Sequence, residues 1–399
     1  MADTLGQRIR RLRVARGLTQ GALGDFAGRS DRWIRMLEAG QGGAVLDHQT
    51  AARIAVGLRI DVAVVLGLAP VPANLGGGDE LTALAAMELD PDDVPALADV
   101  EESVLRLRRS YSTTPPDELQ RRVDVRLRQV RRLLVGEQRG PTRRTLLEAA
   151  AWLALLRGTV QADQRQYEAA ATSVRSAREL ARELGHGDLV AWTWETGAWM
   201  AATDGRQHDA RDLASAGVEI APVGGYGLVA VTMQRARING ALGDDEAALR
   251  DLQAGARALA AVEESEWVDD HYVVDRAKAA YFASGTMAQL RRPAETIEHA
   301  AEVVRANDDP QTRNWWPMRT SNARLEWAAA LADQGEEDGA RELARNALDP
   351  RWFRPDTERR TRLLLTRMRD PRLRAEVIGQ MQEAKASSLI ALEEFDPLP

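Results

Sequence analysis

Apolar residues near the start of the chain recur at the three- and four-residue spacing that is typical of short amphipathic helices. The pattern is sharpest over residues 19–40, where two such helices are separated by a few small and polar residues. Ser30 stands at the N-cap of the second helix, and Gly28 stands where a helix end favours positive φ. The pattern predicts two helices that pack across a tight turn, through Leu23, Phe26 and Ala27 of the first and Ile34 and Leu37 of the second.

The second of these helices has an outward face of different composition. This face is polar, basic and aromatic, and it consists of Asp31, Arg32, Trp33, Arg35 and Met36. Side chains that read base edges in the major groove need hydrogen-bonding and cationic groups on one exposed face of a helix. We therefore predict that these five residues contact the bases of a DNA duplex.

The same stretch resembles the helix-turn-helix of the phage-repressor-like, or XRE, family of transcriptional regulators. The resemblance covers about residues 5–69 and implies a five-helix DNA-binding domain over residues 1–69, with double-stranded DNA as its partner. Asp31 places an acid where neutral or basic readers are common in the family, which suggests an unusual base preference. Gly24 stands where the family often has alanine and predicts a less rigid motif. The resemblance rests on Thr19, Gln20, Leu23, Gly28, Ser30, Ile34, Leu37, Glu38 and Gly40.

Positive charge is concentrated in this first region. Residues 1–69 hold ten arginines against six acidic residues, whereas the whole chain has a formal net charge of −7. The first predicted helix carries arginines on the side opposite its apolar stripe. Alone, such a side is as consistent with a solvated surface as with DNA, but beside a recognition helix it favours phosphate contacts. We predict phosphate contacts from Arg10, Arg13, Gln20 and Gln41.

Residues 70–92 form the clearest predicted linker, because prolines and three consecutive glycines interrupt the helical pattern there. Residues 93–144 are predicted to form basic connecting helices. Their stretch 106–144 holds twelve arginines against four acidic residues. This charge is consistent with a second DNA-contacting surface or with the solvated face of a helix that forms a dimer, and we favour the second.

From residue 145 to 399 the pattern predicts helical hairpins that recur along the chain. An alanine preceded by an acidic or small residue recurs in the second helix, at intervals of 41, 37, 47 and 46 residues. Such hairpins cannot bury their apolar faces alone, so they stack into an α-solenoid in a chain that is all-α. The pattern resembles the tetratricopeptide repeat over about residues 145–385, and a related helical solenoid is the alternative. The alanines are Ala169, Ala210, Ala247, Ala294 and Ala340.

The chain lacks the residue patterns of common enzymes. It contains no cysteine, its five histidines lack metal-ligand spacing, and neither of its two lysines follows a phosphate-loop pattern. We therefore predict no enzymatic activity, no cofactor and no metal. No run of about twenty apolar residues occurs, so we expect a cytoplasmic protein without membrane association.

Nine of the ten tryptophans lie in the predicted repeat region, after residue 145. Most are expected to fill gaps between stacked helices. If Ala210 marks a helix crossing, however, the helix predicted over residues 188–203 turns aromatic and polar side chains toward the concave face of the solenoid. If the register is shifted by one residue, Trp194 faces the concavity instead. Aromatic residues with a few polar groups in a concavity are typical of a ligand site. The predicted site consists of Trp192, Glu195, Trp199, Asn239 and Asn322.

The order of the two regions resembles a class of bacterial regulators with a superhelical sensory body. The resemblance implies a cytosolic transcriptional regulator that binds a two-fold symmetric operator as a homodimer, and whose body senses a peptide or small molecule or mediates dimerisation. One alternative is an adaptor whose body binds a partner protein, and another is a repeat scaffold whose head has lost DNA affinity. A groove lined by charged and amide residues would favour a peptide or protein, and a closed tryptophan-lined pocket would favour a small molecule.

Overall fold

The computed structural model describes residues 4–15, 18–40, 46–58, 60, 62–66, 97–135 and 140–393. Within these ranges the regular secondary structure is entirely helical, which confirms the predicted all-α class. The chain divides into two compact units, Met1–Asp90 and Pro91–Pro399, which we call the head and the body. The predicted linker at 70–92 and the predicted phosphate contact Gln41 lie outside the described residues.

Short helices build the head around one apolar core. Ile9, Leu12, Leu23, Ile34 and Ile54 come from four different helices and are fully buried together. The apolar stripes seen in the sequence therefore converge as expected, and the described residues of the head form the five predicted helices. Its helices are α1 (Leu5–Ala15), α2 (Gln20–Ala27), α3 (Asp31–Glu38), α4 (His48–Leu58) and α5 (Val62–Leu66).

The turn between α2 and α3 is as tight as the sequence predicts. Gly28 has a φ of +64°, in the left-handed region that favours glycine. Ser30 Oγ accepts a hydrogen bond of 3.2 Å from the backbone N–H of Trp33. Gly24 also has a steric role, which the sequence did not indicate. A Cβ at residue 24 would lie 2.7 Å from the carbonyl oxygen of Arg29, so glycine here lets the turn approach α2.

The body consists of longer helices that follow one another in the chain. The first two, predicted as connecting helices, pack into the main apolar core of the body, where Val100, Val123 and Val130 are buried with Trp152. The helices are α6 (Leu97–Ser110), α7 (Pro116–Val135), α8 (Gly140–Asp163), α9 (Tyr167–Glu183), α10 (Gly187–Thr203), α11 (Gln207–Ile220), α12 (Tyr226–Ala241), α13 (Asp245–Ala260), α14 (Arg276–Gln289), α15 (Pro293–Asn307), α16 (Pro317–Gln334), α17 (Glu337–Ala347), α18 (Pro355–Leu365) and α19 (Pro371–Glu393).

From α8 to α17 the helices pair as hairpins that stack on their neighbours, as in a solenoid. In each hairpin the small residue where the two helices cross is the fourth residue of the second helix. The predicted register was wrong for three hairpins, because Ala169 and Ala294 are exposed and Ala247 is only half-buried. Adjacent alanines made the register ambiguous in two of these hairpins, and in the third the buried position is a threonine. The starting residue of each helix decides the register. The buried residues are Ala170, Ala210, Ala248, Thr296 and Ala340.

Two loops account for the longest intervals between hairpins. Residues 261–275 connect α13 to α14, and residues 308–316 connect α15 to α16. Each loop buries an aromatic side chain, since Tyr272 is 2% exposed and Trp316 is 3% exposed. Each of these loops therefore contributes one aromatic side chain to the interior of the body, although most residues of 308–316 are exposed.

Gly24→Ala is expected to destabilise the head by about 1–3 kcal/mol, because the methyl group must displace the Arg29 carbonyl or the α2 backbone. Gly21→Ala in the same helix is the matched control. Its added Cβ would meet only Thr19 Oγ1, at 3.8 Å, so helix propensity should stabilise the head by up to about 1 kcal/mol. Hydrogen exchange of head peptides in the full-length protein measures both effects. Equal effects would contradict the close approach at Gly24.

Candidate functional site

The exposed face of α3 is the first candidate site. Asp31, Arg32 and Arg35 are exposed, while the opposite side of the helix is buried in the head core. Trp33 and Met36 are half-buried at the edges of this face. The five residues predicted as base readers therefore share one side of α3, with the three charged ones outermost.

Asp31 acts on the neighbouring arginine of this face. Its Oδ2 lies 3.0 Å from Arg35 Nη2, one helical turn away. Arg35 Nε also donates to Gln20 Oε1 at 3.5 Å. Because the side chains of this ion pair are more than half exposed, the pair adds little stability and DNA can displace it. The acid at residue 31 thus orients the Arg35 guanidinium and reduces the positive charge of the face.

Arg13, predicted to contact phosphate, is instead held inside the head. Its Nε and Nη2 donate to the two carboxylate oxygens of Glu38 at 2.5 and 3.0 Å, and its Nη1 donates to the Leu18 carbonyl at 2.7 Å. Gln20 Nε2 donates to the same carboxylate at 2.9 Å. The side chain of Glu38 is 3% exposed and that of Arg13 is 11% exposed. Arg13 therefore fixes α3 against α1, and Arg10 remains as the exposed arginine predicted for phosphate.

The ionisation of Glu38 stabilises this arrangement. Burial disfavours its charged form, but hydrogen bonds from Arg13 and Gln20 outweigh burial and hold the pKa of Glu38 below its usual 4.5. The hydrogen bond to Glu38 also raises the pKa of Arg13. Since the folded pKa of Glu38 is the lower one, its contribution to stability is complete above about pH 4.5 and is lost as the pH falls through the folded value.

Arg13→Ala is expected to destabilise the head by about 3–5 kcal/mol, because it leaves the Glu38 carboxylate buried and unpaired. The double variant Arg13→Met with Glu38→Leu should recover much of this loss, since it removes both charges. Arg10→Ala, on the exposed side of the same helix, should change stability by less than about 0.5 kcal/mol. Hydrogen exchange of head peptides in the full-length protein distinguishes the three variants. A stable Arg13→Ala head would contradict the structural role of this residue.

The second candidate site is a cavity of about 110 Å³ inside the body. The first helices of successive hairpins, from α8 to α16, supply most of its wall, and most of the side chains in that wall are buried. Loop residues and the start of α18 complete it. The wall consists of Tyr111, Thr159, Asp163, Trp192, Glu195, Thr196, Trp199, Gln234, Arg237, His271, Lys278, Tyr281, Phe282, Trp316, Met318, Arg319, Asn322, Arg354 and Asp356.

Four of the five residues predicted for a ligand site lie in this wall, namely Trp192, Glu195, Trp199 and Asn322. Asn239 does not. Its Nδ2 donates to Asp251 Oδ2 of α13 at 3.0 Å, and Arg235, one turn earlier, pairs with the same carboxylate. That side of α12 therefore faces α13, and the opposite side, with Gln234 and Arg237, faces the cavity.

Sequence reasoning missed the cationic groups of the wall. Lys278 Nζ donates to the carbonyl oxygen of His271 at 2.6 Å and lies 4.7 Å from the ring centroid of Trp192. Arg237 lies 4.8 Å from the ring centroid of Tyr281. The available signal for Lys278 was its isolation, since it is one of two lysines in the chain and stands in a helix of mainly small residues.

Burial shifts the pKa of several groups in the cavity wall, and it raises that of Asp163 to about 6. It raises the pKa of Glu195 to about 7 against the attraction of Lys278 and Arg237. Burial, together with the charge of Arg319, lowers the pKa of Lys278 to about 8. Burial and the surrounding cations lower the pKa of His271 well below its ordinary value, so this ring is neutral. Strongly perturbed groups that share a cavity are typical of a functional site.

Part of the basic stretch 106–144 is used inside the body. Arg108 pairs with Asp270 at 2.5 Å, and its guanidinium lies 3.9 Å from the ring centroid of Trp152. Other arginines of the stretch remain on the surface, on α7 and, as Arg143 and Arg144, at the start of α8. The exposed arginines of α7 are Arg121, Arg128, Arg131 and Arg132.

Glu195→Gln is expected to stabilise the body by about 1–3 kcal/mol at about pH 7.5, because it removes a buried carboxylate that makes no ion pair within the described residues. The folded pKa of Glu195 exceeds its unfolded value, so the destabilisation by this group develops as the pH rises from about 4.5 to about 7. The substitution should therefore have little effect at about pH 4.5. Glu168→Gln, on the exposed side of α9, is the control. Thermal denaturation at both pH values gives the comparison, and a Glu195→Gln body less stable than the parent at pH 7.5 would contradict it.

Within the described ranges, no helix combines the length and apolar character needed to cross a bilayer. Over the same residues, no group of three or more histidine, aspartate or glutamate side chains is arranged to hold a metal ion.

Residues 4–66 match a protein-family model described as a helix-turn-helix domain. This range runs from the residue before α1 to the end of α5. No curated protein matches the chain. The head therefore carries a helix-turn-helix domain, which suggests a DNA-binding regulator.

Proposed function

We propose that the chain is a cytoplasmic transcriptional regulator of the XRE type that binds operator DNA through α3 and senses a small molecule in the cavity of the body. The observation that carries the proposal is the exposed charged face of α3 in the matched helix-turn-helix domain. The network of Arg13, Gln20 and Glu38 supports the proposal, because these polar contacts fix α3 to α1 and α2. A recognition helix must be held in this way to present its readers in one geometry.

The proposed regulator acts on DNA as a homodimer. One head offers only Asp31, Arg32, Arg35 and the edges of Trp33 and Met36 to the bases, so a single half-site gives modest discrimination. Two heads that bind one helical turn of DNA apart, about 34 Å, read a two-fold symmetric operator.

The cavity favours a small molecule over a peptide or partner protein as the ligand of the body. Its wall is rich in aromatic residues, and Trp192, Trp316 and Phe282 are each at most 3% exposed. A partner protein needs an extended accessible surface, typically about 800 Å² on each side. The adaptor alternative therefore has less support than a sensor, and we propose no catalytic role for the cavity.

The proposed sensing couples the two units of the chain. In this proposal the ligand affinity of the body differs between the DNA-bound and the free protein. The ligand then changes operator affinity by the same factor by which DNA changes ligand affinity. A coupling of about 1–3 kcal/mol would change operator occupancy about 5- to 150-fold.

Binding sites selected from random DNA by the purified protein test the DNA-binding part. Arg32→Ala should cost about 1–3 kcal/mol on the selected site and much less on random duplex, because Arg32 is proposed to contact bases. Arg10→Ala should weaken both to a similar extent, because it is proposed to contact phosphate. Affinity measurements on both duplexes at one salt concentration separate the two roles. If Arg32→Ala weakened binding to the selected site and to random duplex equally, Arg32 would not be a base reader. Failure to select any sequence would contradict operator binding.

A further inference from the structure

The cavity of the body is comparable in size to a single ring. Its volume of about 110 Å³ is somewhat below the volume of about 150 Å³ of an engineered apolar cavity that holds benzene. Trp192, Trp199, Tyr281 and Phe282 give it aromatic walls, which suit a flat molecule. These walls favour a compact planar group over a peptide of several residues.

Two cations in the wall make no direct ion pair, although the Glu195 carboxylate attracts both at longer range. Lys278 Nζ donates to the His271 carbonyl at 2.6 Å, and Arg237 Nη2 donates to the Tyr281 carbonyl at 3.3 Å. In the described part of the chain, neither forms an ion pair with a carboxylate. Both residues are buried, Lys278 being 7% and Arg237 5% exposed. Buried cations are normally paired, so the wall is prepared for a negative group from outside the protein.

The carboxylates of the wall do not supply that negative group. Asp163 accepts a hydrogen bond from the Tyr111 hydroxyl at 2.8 Å, and Asp356 pairs with Arg360 at 3.0 Å. Glu195 is the remaining acid, and burial raises its pKa to about 7, so it carries only part of a charge near neutral pH. The charged side chains of the wall that remain available to a bound molecule therefore carry a net positive charge.

The aromatic rings are poorly suited to a cationic occupant, because cations of the protein already cover their faces. A cation within about 6 Å of a ring centroid uses the negative potential of that face. A positively charged molecule would meet these cations before it met the rings. The pairs are Lys278 over Trp192 at 4.7 Å, Arg237 over Tyr281 at 4.8 Å and Arg319 over Trp316 at 4.2 Å.

Unpartnered polar atoms belong to the same wall. Among the described residues, six side chains of the wall bury a nitrogen or oxygen atom that has no hydrogen-bond partner. Four of these atoms are donors, which complement the oxygens of an anion. The atoms are Trp192 Nε1, Trp316 Nε1, Arg237 Nε, Arg354 Nε, Gln234 Oε1 and Asn322 Oδ1.

We propose that the cavity binds a compact monoanion, a carboxylate carried by a single planar ring. The carboxylate interacts with Lys278 and Arg237, and the ring packs against Trp192 and Trp199. The inference rests on the proposed function of the body as a sensor, and it gives the chemical class of the sensed molecule. Within that class, the substituents of the ring are read by the side-chain amides of Gln234 and Asn322.

The affinity for such an anion should fall as the pH rises from about 6 to about 9. Over this range Glu195 and Asp163, whose pKa burial raises to about 6, lose protons, and Lys278, whose pKa burial lowers to about 8, loses its charge. Each change makes the cavity less positive. The other titratable or charged groups that act on Glu195 and Lys278 from neighbouring elements are Arg237, Arg319, Asp270, Asp275 and the neutral His271.

Three probes of one ring each test the proposal: benzoate, benzamide and benzylamine. Calorimetric titration and thermal denaturation of the full-length protein, at up to about 10 mM probe, measure binding of compounds this small. Benzoate is expected to bind and to raise the melting temperature, and the neutral and cationic probes are expected to bind at least 10-fold more weakly. If benzamide or benzylamine bound as tightly as benzoate, the proposed preference for an anion would be wrong. If none of the three probes bound, the proposed ligand class would be wrong.

Substitutions locate the binding. Lys278→Met and Arg237→Met should each weaken benzoate binding about 10- to 100-fold, since each removes a charged hydrogen-bond donor. Arg175→Met removes an exposed cation from α9 and should leave benzoate affinity unchanged. Circular dichroism confirms folding, and if one cavity variant fails to fold the other still decides. Unchanged benzoate affinity in a folded cavity variant would overturn the assignment.

Operator binding is measured separately, with and without benzoate. If benzoate binds as described but operator affinity does not change, the sensing function fails and the ligand class stands. If operator affinity responds to a compound that benzoate does not displace, the sensing function stands and the proposed ligand class fails.

Discussion

The cavity of the body depends on the ion pair between Arg108 of α6 and Asp270 of the loop at residues 261–275. The two side chains meet at 2.5 Å across 162 residues of sequence, and Asp270 Oδ1 also accepts a hydrogen bond of 2.9 Å from the backbone N–H of Tyr272. Hairpins of a solenoid contact mainly their neighbours, so stacking alone leaves an inner face exposed. The ion pair holds the loop against that face, where Tyr272 fills space and His271 offers its carbonyl to Lys278. An open concavity thereby becomes a cavity of defined size.

The head and the body use buried charge in opposite ways. In the head, Arg13 and Gln20 fully engage the Glu38 carboxylate, so the buried charge fixes the position of a helix. In the body, Lys278 and Arg237 are buried with only backbone carbonyl partners among the described residues. Complete pairing produces rigidity, and incomplete pairing leaves interaction energy for another molecule. The same physical rule therefore gives buried charge a structural role in the head and leaves it available in the body for the proposed ligand.

The sequence predicts local features well, because a short range of residues decides them. The cap at Ser30, the positive φ of Gly28 and the apolar stripes of the head follow from spacing alone. Gly24 shows the limit, because its role depends on the carbonyl of Arg29 after the turn, and propensity cannot report that distance. In the body, helical periodicity brought Trp192, Glu195 and Trp199 to one side, but it could not decide which side of α12 faces inward. Lys278, Arg237 and the loop residues join the site through contacts between distant segments, which leave no periodic signal.

The wall of the cavity includes Tyr111, near the start of the body, and Asp356, near its end, and the ion pair between Arg165 and Glu358 joins segments 193 residues apart. This span has a consequence for the protein during its synthesis. Domains generally fold as they emerge from the ribosome, N-terminal part first, and hairpins that contact mainly their neighbours can stack one after another. The cavity, however, is incomplete until α18 has emerged, long after α3. A chain cut or stalled before residue 355 would keep α3 and every hairpin from α8 to α17, yet its cavity would lack the part of the wall that α18 supplies.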